Sequence, residues 1–217
     1  MPAAPRLALP AAGFAGIDLA CRRGERLVFA GLSFTLAAGG ALVLTGPNGS
    51  GKSSLLRLMA GLGRPEAGVL GWDGAPIGDD PTAHRARFHF IGHQEAVKPL
   101  LSVAENLAFW AGMRGGGDVA QALAGFRLGA LAASPCRLLS AGQRRRLALA
   151  RLLASPAPLW LLDEPATGLD SEALEDLGAA IAAQRAAGGR VVLSTHTPLA
   201  MPGAASLSLA DFAARPA

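Results

Sequence analysis

The chain has 217 residues, of which 51% are hydrophobic and 17% charged; that is enough apolar material for one domain with a small appended lobe, and it excludes a disordered chain. Lysine plus arginine outnumber aspartate plus glutamate by 20 to 16, a net charge of +4, with Lys52 and Lys98 as the lysines and Arg144-Arg145-Arg146 as the densest basic cluster. So mild a charge without a long basic tract argues for a solvated helix face rather than a nucleic-acid groove, and Cys21 and Cys136 form neither a CxxC pair nor a metal spacing.

Residues 1–16 are rich in Ala and Pro, but Pro10, Gly13 and Gly16 would break the apolar helix of a signal peptide, so they read as a loose tail. Residues 17–36, including GERLVFAGLSFTL, read as short strands punctuated by glycine. Ala41–Thr45 is a short apolar run bounded by Gly, the pattern of a buried parallel strand. A glycine-rich loop over 46–51 follows, then helical periodicity over Ser53–Ala60. Strands are predicted at Val69–Trp72 and Phe88–Gly92, and helices at Ser102–Ala111 and Asp118–Leu128 with a break at Gly115-Gly116-Gly117. Ser140 followed three residues later by Gln143 is a capping-box pattern. Pro158–Asp163 reads as another buried strand, Ser171 as the cap of a helix ending near Gly188-Gly189, and Val191–Ser194 as a further strand. Alternation of strand, loop and helix predicts an α/β fold with a parallel sheet. Val191–Ala210 lacks charged residues, but His196, Pro198 and Pro202 argue against a membrane-spanning helix, and none is expected elsewhere. His84, His89 and His93 recur within ten residues without a second ligand cluster, which argues against a metal site.

Gly46-Pro47-Asn48-Gly49-Ser50-Gly51-Lys52-Ser53 matches G-x-x-x-x-G-K-[ST] between a predicted strand and a predicted helix. Glycines let backbone N–H groups curl round a phosphate chain, and the helix N-terminus adds its positive dipole end. Lys52 would reach the β- and γ-phosphates and Ser53 would ligate Mg²⁺. In Leu159-Trp160-Leu161-Leu162-Asp163-Glu164 an apolar strand delivers two carboxylates at its end. Asp163 would hold the Mg²⁺ shell, and Glu164 would polarise the attacking water as general base. Binding of a nucleoside triphosphate with Mg²⁺ is therefore expected.

The stretch LSAGQRRRLALARLL, lying between those motifs, resembles the signature helix of the ABC ATPases. That resemblance implies a P-loop ABC ATPase fold over residues 17–217, with a small antiparallel β subdomain and a short helical subdomain at about 96–138. It also implies roles for particular residues. Ser140, Ala141, Gly142 and Gln143 form the signature turn, with Ser140 and Gly142 touching the γ-phosphate bound by a second protomer. Gln94 resembles the Q-loop glutamine that senses Mg²⁺ and the attacking water. Asp170, in Ala166-Thr167-Gly168-Leu169-Asp170, resembles the D-loop at the dimer interface, and His196 the switch histidine. The functional unit would be a head-to-tail homodimer with ATP sandwiched between subunits. The slot for an adenine-stacking aromatic falls on Arg23, and the chain has no Tyr. Arg23 could stack its planar guanidinium on the base or remain a solvated arginine; both readings stand.

A closer resemblance is to the haem-exporter ATPases of cytochrome c maturation, carried by TGPNGSGKSSLLRLMAGL, IGHQEAVKPLLSVAENLAF and LSAGQRRRLALARLLASPAPLWLLDEP. Two places depart from it: DEPATGLD is a generic D-loop, and Thr197-Pro198-Leu199 follows His196 where Gln is commoner. The resemblance implies a peripheral subunit on the cytoplasmic face of the bacterial inner membrane. Its partners would be a multi-span, CcmB-like membrane subunit and haem-handling subunits, with haem bound by the partners rather than by this chain. Export of haem and release of a haem-loaded chaperone both fit, and so, as alternatives, do another transporter's ATPase or a soluble one of the iron–sulfur assembly type. Leu100, Leu101, Val103, Leu107, Phe109 and Trp110 would pack the helical lobe for the most part, with some facing a permease groove.

Overall fold

The computed structural model describes residues 8–196 and 199–213. Its first strands are longer than the sequence predicts: β1 (Phe14–Arg23) and β2 (Arg26–Leu36) make a hairpin whose Arg23 faces Arg26 across Gly24-Glu25. β1 begins inside the stretch predicted as tail. Phe14 is fully buried, faces Leu36 and Trp72 in register, and its ring centroid lies 4.7 Å from that of Trp72. Burial of this ring draws residues 14–16 into the sheet. Residues 1–7 lie outside the described residues. β4 (Ala67–Trp72) and β5 (Ala75–Pro76) complete an antiparallel sheet in the order β2-β1-β4-β5, where β3 is Ala41–Thr45.

β6 (Phe88–Ile91), β7 (Leu159–Asp163), β8 (Arg190–Ser194), β3 and β9 (Ala205–Ser208) form the second sheet in that order, and every pairing is parallel. β7 and β8 are buried on both faces, and their side chains alternate between two cores. Leu159, Leu161 and Val192 join α1 (Lys52–Met59) and the antiparallel sheet; Trp160, Leu162, Val191 and Leu193 face the other helices. These are α3 (Val103–Gly112), α4 (Val119–Gly125), α5 (Ala141–Ala154) and α6 (Ser171–Ala186). The short α2 (Pro81–Ala86) packs beside the antiparallel sheet through buried His84, which accepts from Trp72 Nε1 at 3.1 Å and contacts the Met59 carbonyl at 2.9 Å.

Two caps decide local boundaries. Ser140 and Gln143 make the reciprocal capping box at the start of α5, with Gln143 N donating to Ser140 Oγ at 3.2 Å and Ser140 N to Gln143 Oε1 at 2.9 Å. α6 is capped by Asp170, not by Ser171 as predicted. Asp170 Oδ1 accepts the Ala173 N–H at 2.9 Å, and Ser171 is the first helical residue. In the helical lobe Val103 and Leu107 are fully buried, whereas Leu100 is 82% and Phe109 39% exposed, so packing claims only part of the predicted apolar set.

His89 on β6 is buried, with Nε2–H donating to the Ser155 carbonyl at 2.8 Å. Burial pushes its pKa down from 6.5 to about 4; the Ser155 bond opposes this, and Arg114 and Arg151 add to it. The folded pKa is the depressed one, so His89 favours folding above the unfolded value of 6.5. That contribution, about 2–3 kcal/mol, is lost as pH falls from about 6.5 toward 4. Urea unfolding at about pH 7 and about pH 4.5 checks this: the parent is expected to lose about 2–3 kcal/mol more than His89→Gln.

Candidate active site

All the second sheet's strands are parallel, so the loops following β6, β7, β8 and β3 emerge at one edge, the carboxyl edge where open α/β sheets bind ligands. The phosphate loop follows β3. Gly51 takes φ +108°, and a Cβ there would lie 2.8 Å from Val28 Cγ1 and 2.9 Å from Phe29 Cδ1, so glycine alone lets the loop turn into α1. Gly51, at the N-cap of α1, has no side chain to cap it, which leaves the first N–H groups of the helix toward the loop. Lys52 is buried and curls back, with Nζ donating to the carbonyls of Gly46 at 2.7 Å and Pro47 at 3.2 Å. Ser50 Oγ, also buried in this loop, has no partner among the described residues.

Asp163 ends β7, and its two oxygens are held separately. Oδ1 accepts from Ser194 Oγ at 2.7 Å, and Oδ2 faces His93 Nε2 at 3.3 Å. Glu164 follows at φ +49°, a left-handed conformation that costs a non-glycine residue about 1–3 kcal/mol. This turn aims its carboxylate back into the cleft. Oε2 accepts the His196 N–H at 3.1 Å, and Oε1 is buried without a hydrogen-bond partner among the described residues. The His196 ring stands across the cleft, with Nε2 at 3.1 Å from Asn48 Oδ1 and 3.5 Å from Glu164 Oε1. Thr197 and Pro198 lie outside the described residues.

A cleft of about 730 Å³ thus brings Lys52, Ser53, Asp163, Glu164 and His196 together, with Arg23 at its mouth. The cleft also takes in residues to which the motifs give no role of their own, among them Arg26, Thr167 and His93. Arg26 stands opposite Arg23 across the hairpin, Thr167 lies beyond Glu164, and His93 rather than Gln94 is the loop residue that meets Asp163. Gln94 is exposed and lines the adjoining groove, which it shares with Ser53 and Asp163. The pairing of His93 with Gln94 was visible; which of the two turns inward was not.

The signature turn lies apart from this cleft. Ser140, Gly142 and Gln143 line a separate hollow of about 230 Å³ with Arg146, Leu169 and Asp170. Arg146 pairs with Asp170, whose carboxyl is held below its usual range by the Ala173 N–H and by Arg146. α5 also grips the loop after β6. Arg144 Nε lies 3.5 Å from Glu95 Oε2, and Arg151, stacked 3.8 Å from the Trp110 ring centroid, donates to the Glu95 carbonyl at 3.3 Å. Buried Asn106 fastens the end of that loop, accepting from Lys98 N at 2.8 Å and donating to Lys98 O at 2.9 Å.

A phosphate loop, two carboxylates and a histidine on consecutive loops of one parallel sheet define a P-loop nucleotide-binding cassette. A family model described as ABC transporter matches residues 17–167. The chain is 58% identical over 206 residues to the cytochrome c biogenesis ATP-binding export protein CcmA of Paramagnetospirillum magneticum, covering 92% of this chain and 95% of that protein. It is likewise 58% identical over 205 residues to the protein of the same name from Rhodospirillum rubrum, covering 94% and 88%. Among solved structures, a dimeric ATP-binding cassette in a post-hydrolysis state bound to ADP and Pi superposes with a TM-score of 0.75 at 25% identity, covering 85% of this chain and 88% of that one. The chain belongs to the ABC transporter ATP-binding proteins and, within them, to the CcmA family of cytochrome c biogenesis ATP-binding export proteins.

Proposed function

We propose that this chain is the ATP-hydrolysing subunit of a bacterial ABC transporter complex that energises haem export, or release of a haem-loaded chaperone, in cytochrome c maturation. The observation that carries the reading is the 58% identity, over nearly the whole chain, to two proteins of that name. No helix among the described residues is long and apolar enough to cross a membrane. The reading therefore assigns the membrane path to a multi-span, CcmB-like partner, places this chain peripherally at the cytoplasmic face of the inner membrane, and leaves haem to the partner and its haem-handling subunits.

The chemistry would run on the residues of the cleft. The loop N–H groups, the open end of α1 and Lys52 bind and orient the phosphate chain. Ser53 and Asp163, with Gln94 beside them, offer hydroxyl, carboxylate and amide oxygens, a hard donor set that suits Mg²⁺. Bound there, Mg²⁺ would neutralise charge on the β- and γ-phosphate oxygens. Glu164 Oε1, buried without a hydrogen-bond partner among the described residues and 3.5 Å from His196 Nε2, would take a proton from the water that attacks the γ-phosphorus, giving ADP and inorganic phosphate. His196 stands where it would contact the γ-phosphate, and Arg23 with Arg26 would flank the base. The signature turn faces a different hollow from the cleft of its own chain, so the reading takes Ser140 and Gly142 to cap the nucleotide of a second copy, with Asp170 near the shared interface.

Affinity capture of the Glu164→Gln protein from membranes of its own host, with ATP and Mg²⁺, tests the partner assignment. The expected result is a multi-span subunit together with haem-handling proteins. A multi-span subunit of another cargo system would discard haem, and recovery of soluble scaffold proteins alone would discard the transporter.

A further inference from the structure

Glu164 is left-handed at φ +49°, and nothing in its own side chain requires that conformation. The reason lies on either side of its peptide groups. Toward β8, the Glu164 N–H is shared between the Ser194 carbonyl at 3.1 Å and Ser194 Oγ at 3.0 Å. Toward α5, the Glu164 carbonyl accepts Arg145 Nη2 at 2.6 Å. Both side chains are interior: Ser194 is 0% and Arg145 6% exposed. The Ser194 hydroxyl meanwhile donates to Asp163 Oδ1 at 2.7 Å, so one oxygen atom sets the aim of both carboxylates.

Arg145 is unusual for a buried cation. Among the described residues its hydrogen bonds go to the carbonyls of Gly92, Asp163, Glu164 and Pro165 and none to a carboxylate. An apolar side chain would fill the same volume without taking a charge out of water. What an apolar side chain lacks is a planar fork that fixes several carbonyls at once. Burial pushes the Arg145 guanidinium down from its usual range, with Glu95, Asp163 and Glu164 opposing the shift. The bond to Gly92 reaches the root of the loop that carries His93 and Gln94, and α5 itself begins at the signature turn. One side chain therefore ties three parts of the site together.

We propose that Ser194 and Arg145 are positioning residues for hydrolysis: they clamp the left-handed Glu164 peptide from opposite sides and so fix the aim of its carboxylate. The proposal rests on the reading of Glu164 as the group that activates water. Freed from either bond, the peptide relaxes toward an ordinary conformation and the carboxylate swings off its line. The phosphate chain is held by Lys52 and the loop N–H groups, and saturating Mg²⁺ offsets a loosened Asp163, so ATP affinity changes far less than turnover. Movement of α5 when a second copy engages the signature turn reaches Glu164 through the same guanidinium.

The test compares Ser194→Ala, Ser194→Thr, Arg145→Met and Arg145→Lys with the parent and Glu164→Gln. It uses the full chain at saturating Mg²⁺ and measures kcat, KM, direct ATP affinity and thermal midpoint. Ser194→Ala and Arg145→Met are expected to lower kcat by about tenfold or more while KM and ATP affinity stay within about threefold. Ser194→Thr, which keeps the hydroxyl, is expected to recover kcat to within about threefold of the parent. Arg145→Lys, which keeps the charge but not the fork, should fall between parent and Arg145→Met, and it carries the test for α5 if Arg145→Met does not fold. Parental kcat in Ser194→Ala and Arg145→Lys, with Glu164→Gln inactive, overturns the clamp and leaves the role of Glu164 standing. Equal losses of kcat and ATP affinity, or no recovery in Ser194→Thr, reduce both residues to structural ones and also overturn it. Normal turnover in Glu164→Gln removes the role of Glu164 and the clamp with it.

Discussion

Glu164→Gln is expected to bind ATP as tightly as the parent, to hydrolyse it about a hundredfold to ten-thousandfold more slowly, and to accumulate as an ATP-bound dimer. The substitution keeps the size, the backbone conformation and the acceptor for the His196 N–H, since the amide oxygen can replace Oε2. It alters Oε1, the oxygen proposed to take a proton, which is buried with no hydrogen-bond partner among the described residues and has His196 Nε2 3.5 Å away. Loss confined to turnover therefore follows from the geometry. Gel filtration with and without ATP, together with phosphate release, checks it. A dimer that dissociates as readily as the parent's, with normal phosphate release, removes Glu164 from the base role.

Lys52→Ala is expected to fail earlier, at binding. The ammonium lies on the Gly46 and Pro47 carbonyls, already inside the loop and short of water, so few of its own contacts with solvent are given up when phosphate oxygens arrive. Charge-assisted hydrogen bonds of this kind are worth about 1.5–3 kcal/mol each. Losing two would weaken ATP binding by about a hundredfold or more. Titration with a fluorescent ATP analogue measures this directly, and an unchanged thermal midpoint separates lost binding from lost fold. ATP affinity within about threefold of the parent would contradict the role assigned to Lys52.

What the sequence made legible follows from how each signal arises. Ala41–Thr45 and Leu159–Asp163 were readable because a strand buried on both faces is apolar throughout. β9 was missed because Ala205–Ser208 is small and half polar, as an edge strand can be, and offers no apolar run. α2 was missed because it is six residues long; its one signal was Asp80, whose carboxylate caps Thr82 and Ala83, followed by Pro81. Asp170-Ser171 offered two cap formers in a row, and only the fold chooses between them. The motifs of Lys52, Asp163, Glu164 and His196 were legible because each is tied to a buried strand: Lys52 opens the helix that follows β3, Asp163 and Glu164 stand at the end of β7, and His196 lies two residues beyond β8. Ser194 and Arg145 carry no motif. Arg145 nevertheless left a trace: it shares the buried face of α5 with Leu149 and Leu152, four and seven residues on, whereas Arg144 and Arg146 lie off that face.

If hydrolysis by this chain drives cytochrome c maturation, the covalent haem of c-type cytochromes in its own host responds when the chromosomal copy is replaced by Glu164→Gln. Haem-stained gels are predicted to show the c-type cytochromes lost while b-type haem absorbance and the unmodified polypeptides persist, with recovery when the parent chain is restored. Undiminished covalent haem in the Glu164→Gln strain would separate ATP hydrolysis by this chain from cytochrome c maturation.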